Sequence, residues 1–424
     1  MQSMSSKVEE IVASIVNSDD AAEAYEIYRI GAPFLGDYKF IFASGTGSPP
    51  GFAVNRMFKN GAAVRSLFGS DRVLMLDAKT AKEMEGGRSI FPIDYSISLD
   101  TNAMSYLEPY ITGRSGGGIP SDFGDVFNFI AQPEVSIDPI PYFSENLLDL
   151  SRGKSPDSVF SNIRAYEVLR TIDVDRLNNM GEIRSTINDA ELDSRAQNLV
   201  SKILFSLSDK AALDDLNHKH GFTYACLLKM VEIQLKTTQA PLESKLERFA
   251  EFCHSELSVM SIREMAIAKS YFIRGQKFGF FGKIQKNKDG VLDLLKNMAW
   301  DLWHVRQLEQ SLARRPQNAA RYYFPALLTF DKNLIEVMDI YPLKSFAYSI
   351  KNYCPLPVFD GDPYLILGAD ERHGERVFEK YYSAASRAER QARRDTTFDK
   401  MRRIVEELEQ AVLVITAPKP SDSK

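Results

Sequence analysis

Ile97-Ser98-Leu99-Asp100-Thr101-Asn102 closes an alternating apolar run on an acid followed by two small polar residues. That layout lifts a carboxylate out of a sheet at the carboxyl end of a strand, where open α/β folds bind their ligands. Two later segments repeat it in other local settings. Asp301 sits in a helical-looking stretch at 297–303, between Trp300 and Trp303, and Asp331 follows an apolar run at 324–330 that reads as a strand ending in an acid. Acids delivered from distant parts of the chain point to a shared divalent-cation site. Mg2+ and Mn2+ prefer oxygen ligands, and a pair of such ions activates a water while stabilising the leaving oxygen of a phosphodiester. Without a cation, clustered carboxylates repel and at least one pKa rises.

The rest of the composition bounds the answer loosely. At 424 residues the chain exceeds the usual single-domain length. With 44% hydrophobic and 26% charged residues it has an ordinary globular composition. A formal net charge of −5 argues against a strongly basic nucleic-acid coat and leaves room for a local basic patch. Cys226, Cys253 and Cys354 form neither a disulfide framework nor a zinc ribbon, so a reducing cytoplasm is the simplest location. The acidic N-terminal region has no secretory pattern, and no apolar window is long enough to span a membrane.

Along the chain, 1–90 reads as an N-terminal α/β region: a helical pattern at 5–30, strands at 38–42 and 72–77, and a Gly/Ser/Pro loop at 44–51 that fits no phosphate-binding motif. Residues 103–111 read as helix, 113–118 as a glycine-rich loop with Arg114, and 125–131, 135–138 and 139–150 as helix, strand and helix. From 151 to 255 the pattern is almost wholly helical, a large insertion. Sheet signals return at 327–330 and 364–367, and 371–413 reads as one long, charge-rich helix carrying Arg387, Arg390, Arg393 and Arg402, followed by a disordered tail from 417. His218 and His220 with Cys226 lack a partner pair for zinc and read as surface loop.

The strand end at 97–102, the helix around Asp301 and the Thr329-Phe330-Asp331 strand end resemble, in that order, the PIN-like metal-dependent nuclease superfamily. The resemblance covers roughly 91–150 and 256–370. It implies an α/β fold with a central parallel sheet flanked by helices, elaborated here by the insertion at 151–255 and the C-terminal helix in 371–424. It further implies a Mg2+ or Mn2+ site held by Asp100, Asp301, Asp331 and a glutamate, with Asn102 orienting a ligand. The glutamate is open: Glu145, on the helix after the second strand, and Glu264, on an apolar helix, fit the pattern about equally, and Glu167 is a third candidate.

The resulting expectation is a divalent-metal-dependent nuclease, an endoribonuclease in the first place, with Arg314, Arg315 and Arg321 or the C-terminal arginines positioning the strand. The helical regions would provide self-inhibition, a homo-oligomer contact or a regulatory protein partner, as in toxin-like or phage-defence relatives. Each acid also has a plain structural reading. Asp100 and Asp331 both stand where helix N-caps stand, and His304 beside two tryptophans reads as a packed core histidine or a general acid. The competing expectation is a catalytically silent PIN-like scaffold that binds RNA or protein. A third is a phosphatase or nucleotide hydrolase using the same carboxylates.

Overall fold

The alternation at 93–99 forms an interior strand with both faces covered. It is seen in a computed structural model that describes residues 2–46, 51–87, 91–114, 118–153, 156–317, 319–394 and 398–417. Tyr95, Ile97 and Leu99 face one side of the strand and Ser96 and Ser98 the other, and all five are buried. The strands in chain order are β1 (Tyr38–Ala43), β2 (Asn55–Met57), β3 (Ala63–Arg65), β4 (Val73–Leu76), β5 (Ile93–Leu99), β6 (Ser136–Asp138), β7 (Tyr322–Thr329), β8 (Leu343–Ser349) and β9 (Pro355–Phe359).

They make two sheets. In the first, ordered β2-β3-β7-β5-β6, β5 runs parallel to β7 from Ile93 opposite Tyr322 to Leu99 opposite Leu328, and parallel to the short edge strand β6. The hairpin strands β2 and β3 join antiparallel beside β7. Pro325 is tolerated in this interior strand because β3 pairs only Leu327–Thr329, so no strand on that side needs the missing N–H. The second sheet, β4-β1-β8-β9, is antiparallel throughout. Helices Gln2–Asn17 and Ala21–Gly31 supply Val12, Ile15, Val16 and Tyr28 to the core against Phe40 and Phe42 of β1.

The α/β class holds, but a single central parallel sheet does not: only β6, β5 and β7 are parallel, inside a mixed sheet. Residues 1–90 do not close on themselves either. Their strands pair with β7 and β8: β1, buried along its centre, has β4 on one side and takes β8 on the other, and β3 pairs with β7. The apolar run at 364–367 is the helix Pro363–Leu367, started by Pro363 and by Asp362 accepting the Tyr364 N–H at 2.7 Å. The expected long C-terminal helix is three helices, Glu371–Tyr382, Ala384–Ala392 and Phe398–Thr416, and Ser383 breaks the first and caps the second. Parts of the 44–51 and 113–118 loops, and the tail from 418, lie outside the described residues.

The chain divides into two compact units: Met1–Ser208 with His304–Ile335 and Pro342–Asp360, and Asp209–Trp303 with Glu336–Tyr341 and Gly361–Lys424. All nine strands among the described residues belong to the first. The first break falls at 208/209, within the stretch read as one helical insertion. The second unit is helical, its core built on Lys210–Lys236, Leu242–Ser255 and Ile262–Arg274. His220 and Cys226 lie buried on the first of these helices, not on a surface loop, and the His220 ring centroid is 4.3 Å from that of Trp300.

In the second unit Gly374 lets Glu371–Tyr382 approach the Tyr364 carbonyl so closely that a Cβ would collide with it. Helix propensity alone would make Gly374→Ala stabilising by about 1 kcal/mol; a backbone collision costs about 1–3 kcal/mol and outweighs it. The expected outcome is a lower urea midpoint for Gly374→Ala, with the m-value unchanged.

Candidate active site

Two neighbouring strands of the first sheet end in a helix-capping aspartate. Beyond β5 the Asp100 N–H donates to the Leu328 carbonyl at 3.4 Å, and Asp100 Oδ1 accepts the Ala103 N–H at 2.7 Å, capping the helix Thr101–Ile111. Beyond β7, Asp331 Oδ1 accepts the Asn333 N–H at 2.7 Å at the start of Lys332–Ile340. Thr329 ties the two ends together. Its hydroxyl donates to the Asp100 carboxylate while its oxygen accepts the Asp331 N–H at 3.1 Å.

Glu145 comes from the helix Ile140–Ser151 that follows β6. Its Oε1 lies 2.7 Å from Nε2 of His304, and with a carboxylate as partner that nitrogen is the donor. The imidazole is almost fully buried, whereas about a fifth of the Glu145 side chain (22%) is exposed. The histidine therefore orients the carboxylate, and the carboxylate is the member of the pair that meets solvent.

Burial pushes the Asp100 carboxyl up to about 6, and the nearby Glu145 charge adds to the shift. The Ala103 N–H, the Thr329 hydroxyl and His304 oppose it. Asp100 therefore exchanges its proton close to neutrality, which suits a general acid or base.

The other expected residues fall elsewhere. Asn102 is exposed on the first turn of Thr101–Ile111, and its carbonyl accepts the Ser105 hydroxyl. Glu264 and Asp301 lie in the second unit; in the first, Asp100, Glu145 and His304 are coupled, while the Asp331 carboxylate caps its own helix. Glu264 is buried at the start of Ile262–Arg274 and accepts the Ser261 hydroxyl three residues earlier. Glu167 is buried and pairs with Arg170 at 3.1 Å. Arg114 is largely exposed and pairs with Glu108 at 3.2 Å. Arg321 is bound by both carboxylate oxygens of Glu83, and Arg390 and Arg393 are bound to His254, so none of these three is a free phosphate anchor. Among the described residues no group of three or more His, Cys, Asp or Glu side chains is placed to hold a metal ion.

Asp138, at the end of β6, was missed by the sequence reading. Ser96 and Ser98 donate their hydroxyls to it at 2.7 and 3.1 Å, and the Ile140 N–H donates to Oδ1 at 3.1 Å. The signal was the pair of serines on the second face of β5, which need a polar partner once that face is buried.

No protein-family model, curated protein or solved structure matches the chain. The likeness to PIN-like nucleases therefore rests on the residues quoted from the sequence.

The Asp100 shift has a stability consequence. Its folded pKa of about 6 lies above the ordinary aspartate value of 3.8, so the folded state holds the proton more tightly. The favourable contribution is complete below 3.8 and is lost as pH rises through 6. The corresponding penalty above pH 7 is roughly 3 kcal/mol. Asp100→Asn keeps an oxygen for the Ala103 N–H and removes the buried charge. It is expected to raise stability in urea unfolding at pH 8 and to flatten the pH dependence between 4 and 6.

Proposed function

We propose that the chain hydrolyses phosphodiester bonds in nucleic acid, with RNA as the first substrate to test, at the Asp100–Glu145–His304 cluster. The observation that carries this reading is the charge coupling of a buried Asp100 to Glu145 at the carboxyl ends of parallel strands, the place where open α/β sheets bind ligands. In this reading Glu145, oriented by His304, takes the proton of the attacking water as its oxygen bonds to phosphorus. Asp100, protonated for part of the time near neutrality, returns a proton to the leaving oxygen. A buried carboxyl group whose proton affinity is raised toward neutrality is a recurrent general acid.

The resemblance adds Mg2+ or Mn2+. The described residues do not assemble three ligands for it, so no step is assigned to the metal, and metal dependence is a question for the assay. One specific observation favours the silent scaffold instead: Asp100 and Asp331 are both engaged as helix caps.

Cleavage of labelled single-stranded RNA and DNA by wild type, Asp100→Asn, Glu145→Gln and Asp301→Asn, in Mg2+, Mn2+ or EDTA, separates the readings. The hydrolase reading expects loss of at least about a hundredfold in rate for the first two variants, the size of a lost acid or base, with folding intact. Inactivity of wild type under every metal condition would leave the scaffold. Loss of activity in Asp301→Asn as well would extend the site to the second unit.

A further inference from the structure

The helix Ala384–Ala392 has 9 residues, mostly small or charged, and the side chains it buries are Ser386 and Arg390. A helix this short is marginal by itself. With no large apolar side chain to bury, it is held to the second unit by polar contacts. Ser383 caps its start by accepting the Ser386 N–H at 3.2 Å, and the Ser386 hydroxyl donates to the Lys380 carbonyl. Near the other end Arg390 donates to the Tyr381 carbonyl and also reaches Nδ1 of His254, on Leu242–Ser255, at 3.3 Å. Arg393, just past the helix, reaches Nε2 of the same ring at 3.0 Å and donates to the His254 carbonyl at 3.1 Å.

His254 therefore meets a guanidinium donor at each ring nitrogen, and a guanidinium has no lone pair to offer in return. A neutral imidazole has one acceptor nitrogen, so in either tautomer it serves one of the two arginines. A second ring proton turns that acceptor into a donor and sets a positive ring against two positive forks. The acids nearby are already weakened as counterweights. Glu389, on the docked helix, lies 3.4 Å from Nε2, but its side chain is largely exposed and solvent screens it. Glu251, one turn back on the histidine's own helix, is engaged by the Ser255 and Tyr381 hydroxyls and by Lys380. From Glu371–Tyr382, the Tyr381 ring faces the imidazole with centroids 5.4 Å apart, and Tyr382 faces Arg390. Burial first, then the Arg393 and Arg390 charges, hold the histidine below its usual 6.5 against the pull of Glu251 and Glu389.

We propose that His254 is an acid-sensitive latch: Ala384–Ala392 stays docked while the imidazole keeps one acceptor nitrogen and melts when acidification protonates it. The docked ring holds its second proton less tightly than a free one. The latch therefore contributes in full above 6.5 and is lost as pH falls through the docked value. It does not rest on the hydrolase reading of the first unit.

The test is hydrogen–deuterium exchange of the full-length protein at pH 8 and pH 5, read by mass spectrometry as protection factors, which removes the intrinsic pH dependence of exchange. Wild type is expected to lose protection over 384–392 at pH 5, while Ile262–Arg274, which carries no histidine, keeps its own. His254→Gln retains an acceptor oxygen that takes no proton, and is expected to hold the helix equally at both pH values. Arg393→Gln, at an exposed position, leaves the ring to titrate against one guanidinium and is expected to shrink the loss. It keeps the test decisive if His254→Gln does not fold. Unchanged protection over 384–392 in wild type, a loss as large as wild type's in either variant, or a loss shared equally by Ile262–Arg274 overturns the inference.

Discussion

The parallel pairing of β5 with β7 is the constraint on which the rest of the first unit depends. It joins Ile93–Leu99 to a segment that begins at Tyr322, and seven residue pairs hold the register. The long closure adds only a logarithmic entropy cost. A slip of one residue would turn Tyr95, Ile97 and Leu99 to the face now held by Ser96 and Ser98, and the serines into the apolar layer. Burial of both faces therefore fixes the register, and the register sets Asp100 beside Thr329 at one end and Ser98 beside Asp138 at the other strand edge.

The same pairing explains why Asp100 is held at a cost to stability. A carboxylate that merely capped Thr101–Ile111 could do so from solvent, as Asp20 does for its exposed helix start. Asp100 instead lies under the strand end, where burial raises its proton affinity more than two hydrogen bonds lower it. A capping role accounts for the bond to Ala103 but not for the burial or for the coupling to Glu145. Strain of this kind is more common at reacting sites than in plain structural caps, which weighs toward chemistry over scaffold.

What the sequence made legible was local. The strand before Asp100, the cap that follows it, the strand before Asp331 and the helix that carries Glu145 each have their own signal within a few residues. The unread parts depend on distant partners. β8 pairs locally with β9 but also needs β1 from the N-terminal region, and β3 finds its neighbour at 327–329. One misreading had a usable signal: Asp362-Pro363 marks a helix start in front of the run read as a strand.

β5 organises polar groups in two directions. Its end presents Asp100 to Glu145 and Thr329, while its serine face holds Asp138. Glu83 occupies both arms of the Arg321 guanidinium in the same unit. Burial of the serine face thus leaves no orphaned hydroxyl, because the same two side chains hold the carboxylate that ends β6.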